Sequence, residues 1–560
     1  MVSNWNKVLR GFTQAAFLLP FFVFSQGNVS GNMESIFQYL NDDPIIGANQ
    51  PPEKALVNSY MNAFYTHGNF KAGMRLESYL PRIQGYPNRF DGTGLGMRYA
   101  GYENDFIEVT LGSFYEQFGA GLALRAYEDR ALGYDNLLDG MRVTVRPKKG
   151  LQIKGVYGVQ RLSFQQGKIV HGEGIVRGVD AELHLNETFK RLDSLPVDIV
   201  LGASFVSKFQ RDNNPELILP ENVGAYGGRM KLRYKDFYFD AEYIHKGQDP
   251  SNDNGNIYNL GHAAVFNLSY TKKGLGILFS GKSVDNMSYR SDRTKDLQDV
   301  FINFLPALNK THTYNLVATL YPYVTQPLGE VAYQADFLYT FKKGTKLGGK
   351  YGTTLGLNVS TTYEPFKNTA GFSPNDSSRV FYKSTPFRQS DSLYWLDINA
   401  NVTKKINKQW SLIVSYFHIR INNDVAKISN FASGIIASHI GVLESTYKIN
   451  SKHSLRAELQ GLIVEKKDGQ INDQGNWFTA LIEYTISPSY FFSVMNQYNF
   501  GNPDPEKRVN YPIVTCGFIK DATRVTVSYG RQRAGLFCVG GVCRFVPANN
   551  GLTLSLTHSF

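Results

Sequence analysis

The chain has 560 residues, with 59 Lys and Arg against 48 Asp and Glu, a formal net charge of +11 and 14% aromatic residues. The basic balance comes without a dense Lys/Arg run or an aromatic-interleaved basic motif, which argues against nucleic-acid binding; attraction to anionic headgroups or passage of anions suits it better. A soluble chain of this length usually divides into domains of about 100–200 residues, and no linker, Pro/Ser-rich hinge or composition shift divides this one.

At the N-terminus, Lys7 and Arg10 precede an almost unbroken apolar run from Ala15 to Phe24. Val23 and Ser25 then place small or medium residues at −3 and −1 of a cut before Gln26. That order predicts a cleavable signal peptide over residues 1–25, too short and wrongly flanked for a spanning helix. No cysteine follows it, so lipoprotein anchoring is not expected. Beyond residue 25 nothing approaches the about 20 apolar residues of a helical span. The first strand is expected near Val29, which leaves no room for an N-terminal plug domain.

From there a period of two recurs. Met141, Val143 and Val145 alternate with Arg142, Thr144 and Arg146. Met230, Leu232 and Tyr234 alternate with Arg229, Lys231 and Arg233, and Leu455, Ala457 and Leu459 with Arg456, Glu458 and Gln460. Such stretches of about 9–12 residues, rising about 3.3 Å per residue and tilted, match a hydrocarbon core. Strands of soluble sheets are usually about 5–6 residues long. An aromatic-rich chain with mean hydropathy −0.28 then fits a wall alternating between lipid and lumen.

Tight links are predicted at 67–69, 147–150, 235–236, 272–274, 487–489 and 520–522. Longer polar segments fall at 41–56, 81–93, 116–139, 162–175, 208–223, 247–260, 284–294, 364–390, 422–433, 467–475, 502–510 and 534–550. Short periplasmic turns and long extracellular loops are expected to alternate. Parity requires one further strand from Leu297 to Pro306 and a turn from Ala307 to His312. The predicted architecture is a single all-β, antiparallel transmembrane barrel over residues 26–560. It has about 26 strands, in a range of about 22–26, even in number. Aromatic runs at Tyr321 and Tyr323 and from Tyr490 to Phe492 fit either interfacial girdles or ordinary strand preference.

Segment 114–140 breaks the period, mixing glycines and aromatics with Arg125, Glu128, Asp129, Arg130, Asp135 and Asp139. It reads either as an inward loop constricting the lumen or as an ordered surface loop with local ion pairs. On the first reading Arg125, Glu128 and Arg130 line the path. A two-residue turn at Lys235 and Asp236 sets Lys231 opposite Asp240 and Arg229 opposite Glu242. Those charges brace the wall, tune ion preference, or both.

Gly344 to Lys350 matches the start of a phosphate-binding loop. Tyr351 stands where Ser or Thr is required, and the segment joins two strands instead of opening a helix. Cys538 and Cys543 flank two glycines in the last long loop. A local disulfide is expected there; a zinc site lacks partner ligands. Cys516 lies on a strand and is expected to be free. In the last ten residues, 551–560, Leu552, Leu554, Leu556 and Phe560 share one face. Ending on such a strand with an aromatic residue resembles the β-signal read by outer-membrane assembly machinery.

The segments from Phe114 to Gly140 and from Tyr529 to Pro547 resemble an uncharacterised family of Bacteroidota outer-membrane β-barrels, a domain of unknown function. The resemblance implies location and architecture, and it brings no substrate and no catalytic residues. The expected function is a non-enzymatic channel or transport pore with a loop-restricted lumen. The alternative is an accessory barrel that docks a secretion, assembly or surface-adhesion partner. Partners are outer-membrane lipid and the insertion machinery. No cofactor, metal or nucleic acid is expected.

Overall fold

In the computed structural model the chain is described over residues 27–373, 376–427, 434–465, 475–540 and 542–560. The signal-peptide segment lies outside these residues.

Alternating sequence produces long strands, and each strand hydrogen-bonds antiparallel to its neighbours in a 24-stranded sheet. The first, Asn28–Asn41, pairs with Ala55–His67 on one side and with the last, Asn549–Ser559, on the other. The sheet therefore closes into a barrel without edges. Leu552, Leu554 and Leu556 stand opposite Tyr39, Phe37 and Ser35. The outward series of the wall carries exposed Met61, Met74, Leu111, Met141, Tyr157, Phe205, Leu268 and Val494. So much apolar surface is a liability in water and is what a lipid-facing wall requires.

Both described ends and the tight turns share one rim. Lys235 and Asp521 adopt left-handed φ values of 52° and 50° at two-residue turns. Two links at this rim are longer than expected: 185–196, containing the short helix Leu185–Thr188, and 342–352, which holds the phosphate-loop lookalike between two strands. The long connections gather at the opposite rim. One predicted loop there, 162–175, is instead mostly strand. Leu151–Gln165 and Lys168–His184 run on to a tight turn at Gln166 and Gly167, with a register irregularity near His171 absorbing the extra length.

The count of 24 falls two below the predicted 26, and the difference lies in one place. Leu297 to Pro306 is not a wall strand, and neither is the stretch after it. Residues 286–328 form a single connection between Leu275–Asp285 and Gly329–Phe341, which pair directly. This segment folds into the barrel. Met287, Tyr289, Ile302 and Leu305 pack with Phe118, Leu122 and Leu124 against inward Val156, Val176, Val206, Ile244 and Val284. Leu316, Val317, Leu320, Tyr321 and Tyr323 pack against Trp395, Phe417, Ile419, Ile440, Leu462 and Trp477. Tyr321 and Tyr323 are therefore plug residues and not part of a girdle. Tyr490 and Phe492 are exposed on the outer wall.

Candidate functional site: the plugged lumen

The inward series supplies the charge. Arg75 and Glu77, two apart and so on one face, are buried in the wall, and Arg75 Nε donates to Glu77 Oε1 at 2.8 Å. Arg161, on Leu151–Gln165 four strands along the wall, reaches the same carboxylate, with Nη2 2.7 Å from Glu77 Oε2. Both arginines then bind Asp135 of segment 115–137 at 2.9 Å. Arg75 also binds Glu128 at 2.7 Å. Arg130 bridges Glu128 at 2.9 Å and Glu34 on the first strand at 2.7 Å. Pairing on this scale is what allows buried charges to be carried inside a wall.

Segment 115–137 thus takes the inward reading, anchored by Glu128, Arg130 and Asp135. Asp129 caps the Leu132 amide at 3.0 Å. Asp139 stays on the wall, 3.0 Å from Arg98 and 3.1 Å from His171. Among the described residues Arg125 pairs with no acid. Its guanidinium lies between the rings of Tyr127 and Phe304, 4.4 and 4.0 Å from their centroids. Its backbone amide donates to Ile302 O at 2.8 Å, so Arg125 joins the two inward segments.

In the hairpin Arg229 to Glu242 the register is as predicted, with Arg229 opposite Glu242 and Lys231 opposite Asp240. The charges nevertheless bond elsewhere. Arg229 crosses the neighbouring strand over Gly202 to reach Asp180 at 2.6 Å and Glu182 at 3.1 Å. A Cβ on Gly202 would sit 2.5 Å from the Arg229 guanidinium carbon. Lys231 leans the same way, 3.4 Å from Glu182. Asp240 accepts from Asn267 at 3.0 Å. Glu242 accepts the Ala120 amide at 2.6 Å, tying the wall to segment 115–137.

Segment 286–328 is fixed at both ends and across its span. Buried Lys282 forms an ion pair with Glu330 and donates to Pro306 O at 2.6 Å. Tyr323 donates to Glu330 at 2.6 Å. His312 contacts Asp397 at 2.6 Å, and Leu316 N donates to Gln460 at 2.9 Å on the far wall. The chain belongs to the family of unknown function DUF6029. It matches that family over residues 10–560.

No curated protein matches the sequence. Among solved structures it is similar in fold to the siderophore receptor PirA from Pseudomonas aeruginosa, with TM-score 0.40, 9% identity, and coverage of 95% of this chain and 80% of that one. It is also similar to Pseudomonas aeruginosa OpdL, with TM-score 0.31, 9% identity, and coverage of 96% and 99%. A third likeness is to the P pilus usher PapC translocation pore, with TM-score 0.32, 8% identity, and coverage of 95% and 99%.

In this DUF6029 member two cavities of similar size lie beside the plug among the described residues. One of about 550 Å³ lies toward the long-loop rim, lined by Pro87, Tyr127, Phe301, Phe304, Leu536 and Phe545. The other, about 540 Å³, opens toward the tight-turn rim and is lined by Lys71, Arg75, Glu128, Arg130 and Arg142 among others. Glu128 and Arg130 therefore do face remaining lumen space. The final hairpin, Gly535–Val539 with Val542–Val546, leans over the first cavity, and Cys538 and Cys543 at its tip are disulfide-bonded. Arg544 donates to Gly85 O at 2.6 Å and Ala131 O at 2.7 Å. Sequence reasoning missed Arg75, Glu77, Arg161 and Lys282. The signal for the first pair was opposite charge two apart on an inward face.

Proposed function

We propose that this protein is a non-enzymatic transport barrel of a bacterial, Bacteroidota-type outer membrane, held shut at rest by its own connections. The observation that carries this reading is segment 286–328, which spans the lumen and buries apolar side chains against two different arcs of wall. A purely structural barrel needs no such crossing. The plug is also held to the wall by ion pairs and hydrogen bonds as well as by apolar packing, which suits a gate. The cavity at the long-loop mouth is mainly aromatic and aliphatic, with Arg89, Asn303 and Arg544 at its lining, which suits a small amphiphilic ligand. A molecule bound there touches segments 115–137 and 286–328 and the final hairpin at once, so its affinity difference between docked and released plug would shift the gate.

Planar-bilayer recording tests this. Wild-type protein is expected to be nearly silent. A variant with residues 290–324 replaced by a short Gly/Ser linker is expected to conduct steadily. Large steady conductance of the wild type would show that the plug does not close the passage. If both proteins insert as heat-resistant barrels and both stay silent, the transport reading fails, and a co-purifying protein would then favour the accessory role.

A further inference from the structure

On the outer wall, close to the long-loop rim, strand register assembles a group that no local motif announces. Trp410–Asn422 pairs with Ile435–Lys448, and His418 stands directly opposite His439. Phe417, Ile419 and Ile421 point into the lumen core, so Tyr416 and His418, offset by one, face outward. The two imidazole rings stack with centroids 4.6 Å apart. Glu465, immediately after His453–Val464, brings Oε1 to 2.9 Å from His439 Nε2. The Tyr416 hydroxyl lies 2.6 Å from His439 Nδ1. His418 Nδ1 has no hydrogen-bond partner among the described residues.

We propose that His418, His439 and Glu465 bind a divalent transition-metal ion at this rim. One donor atom from each lies within 4.8 Å of the others. Two imidazoles and a carboxylate are the ligand set of zinc and its first-row neighbours, while calcium and magnesium prefer all-oxygen sites. Metal–ligand bonds of about 2.0–2.2 Å place tetrahedral donors about 3.3 Å apart. Rotation of the His439 and Glu465 side chains, 41% and 43% exposed, closes the remaining gap. Without metal, His439 Nε2–H donates to Glu465 and the Tyr416 hydroxyl donates to Nδ1. With metal on Nε2 the ring takes its other tautomer: its single proton is carried on Nδ1 instead of Nε2, with no net release, and is donated to the Tyr416 oxygen. Tyr416 is thereby a positioning residue of the kind that orients metal-bound imidazoles. Arg420 on the same outer face adds a positive charge, so micromolar affinity is expected. The fourth position is left to water or an exogenous anion. The ion would clip two wall strands to the start of the connection that follows Val464.

The test is zinc titration of the full-length, untagged barrel in detergent by calorimetry. Wild type is expected to take up one equivalent, and His418→Ala and His439→Ala are expected to lose it while staying heat-resistant. Tyr416→Phe should keep the stoichiometry and weaken binding about 10–100-fold. Histidine-selective carbethoxylation gives a second readout that needs no variant: zinc should protect His418 and His439 and leave His67 and His184 reactive. Equal binding by wild type and both alanine variants, no uptake by wild type, or unprotected His418 and His439 at saturating zinc would each overturn the proposal.

Discussion

Lys208, Lys246 and Asp249 make a buried group with two cations and one anion. Lys208 Nζ is 2.6 Å and Lys246 Nζ 3.5 Å from the Asp249 carboxylate, all three side chains being at most 1% exposed. Lys246 also donates to Ser288 O at 2.9 Å, at the start of segment 286–328. Burial disfavours the Asp249 charge, but the two ammonium groups outweigh it and hold the carboxyl below its usual range. A carboxylate with a depressed folded value contributes stability above its unfolded pKa of about 3.9 and loses it as pH falls through the folded value. Acid should therefore loosen this corner of the plug, read as protease cutting in 247–260 and 286–328 at pH values below about 4. Asp249→Asn leaves two buried ammonium groups unpaired, a local cost of about 3–5 kcal/mol. It should release the same segments already at neutral pH and flatten the acid response. Equal protease resistance of that variant at pH 7 would show that this group does not hold the two segments in place.

The same scale shows what residue patterns tell and what they hide. The turn at Lys235 and Asp236 gave the right register for Arg229 and Lys231, because a two-residue link leaves only one antiparallel alignment. It did not give their partners. A long guanidinium chooses among acids on both flanking strands, and Gly202, with no side chain, opens the way to Asp180. Partner choice depends on which strand lies next in the wall and how it is staggered, and spacing within one hairpin does not contain that. Arg75→Ala offers a direct check on the charged cluster. Glu77 would keep Arg161, but Glu128 and Asp135 would each lose one of two arginines, Asp135 keeping Arg161 and the Tyr115 hydroxyl. Segment 115–137 should become cleavable by protease while the wall remains intact; continued protection would assign its anchoring to the apolar contacts of Phe118 and Leu122.

Among elements, wall strands were readable because one face meets lipid and the other the lumen, and that contrast survives in a single sequence. Leu297 to Pro306 was misread for a related reason. Ile302 and Leu305 are apolar to pack on the inner wall, and an apolar residue facing a lumen core is indistinguishable by period from one facing lipid. The outer-wall histidines were missed because the three ligand candidates come from three different strands or their ends. The final hairpin, by contrast, was legible from two cysteines and two glycines. Its bridge joins residues directly opposite in the hairpin, Cys538 and Cys543. The closed ring is small, so the chain-entropy gain is below the ~3 kcal/mol of a 15-residue loop. Cys538→Ser/Cys543→Ser should leave a heat-resistant barrel and change proteolysis only within 534–550. Cys516, exposed on the outer wall, should remain free; mass spectrometry linking it to either hairpin cysteine would refute the pairing.

For the whole molecule, every described wall strand pairs with its neighbours along the chain, and one seam alone joins strands from opposite ends of it. The seam joins Asn28–Asn41 to Asn549–Ser559, and contacts so distant in sequence carry the largest loop-closure cost and form late. Beyond the last wall strand, Phe560 exchanges two backbone hydrogen bonds with Gly31, each 2.9 Å. Its ring lies over Gly31, where a Cβ would meet it at 2.5 Å. The ring is nevertheless 56% exposed, so its burial contributes only about 2 kcal/mol to the finished barrel at about 25 cal/mol per Å². The backbone bonds survive any side-chain change. Phe560→Ser should therefore act on the rate of closure and insertion while the completed product keeps wild-type thermal resistance. Pulse-labelled cells sampled over time on unheated gels would show slow accumulation of the compact, heat-modifiable form, ending at the same melting temperature once formed. Wild-type accumulation kinetics would remove the terminal aromatic from assembly, and a lowered melting temperature of the inserted barrel would move its role from closing the seam to holding it.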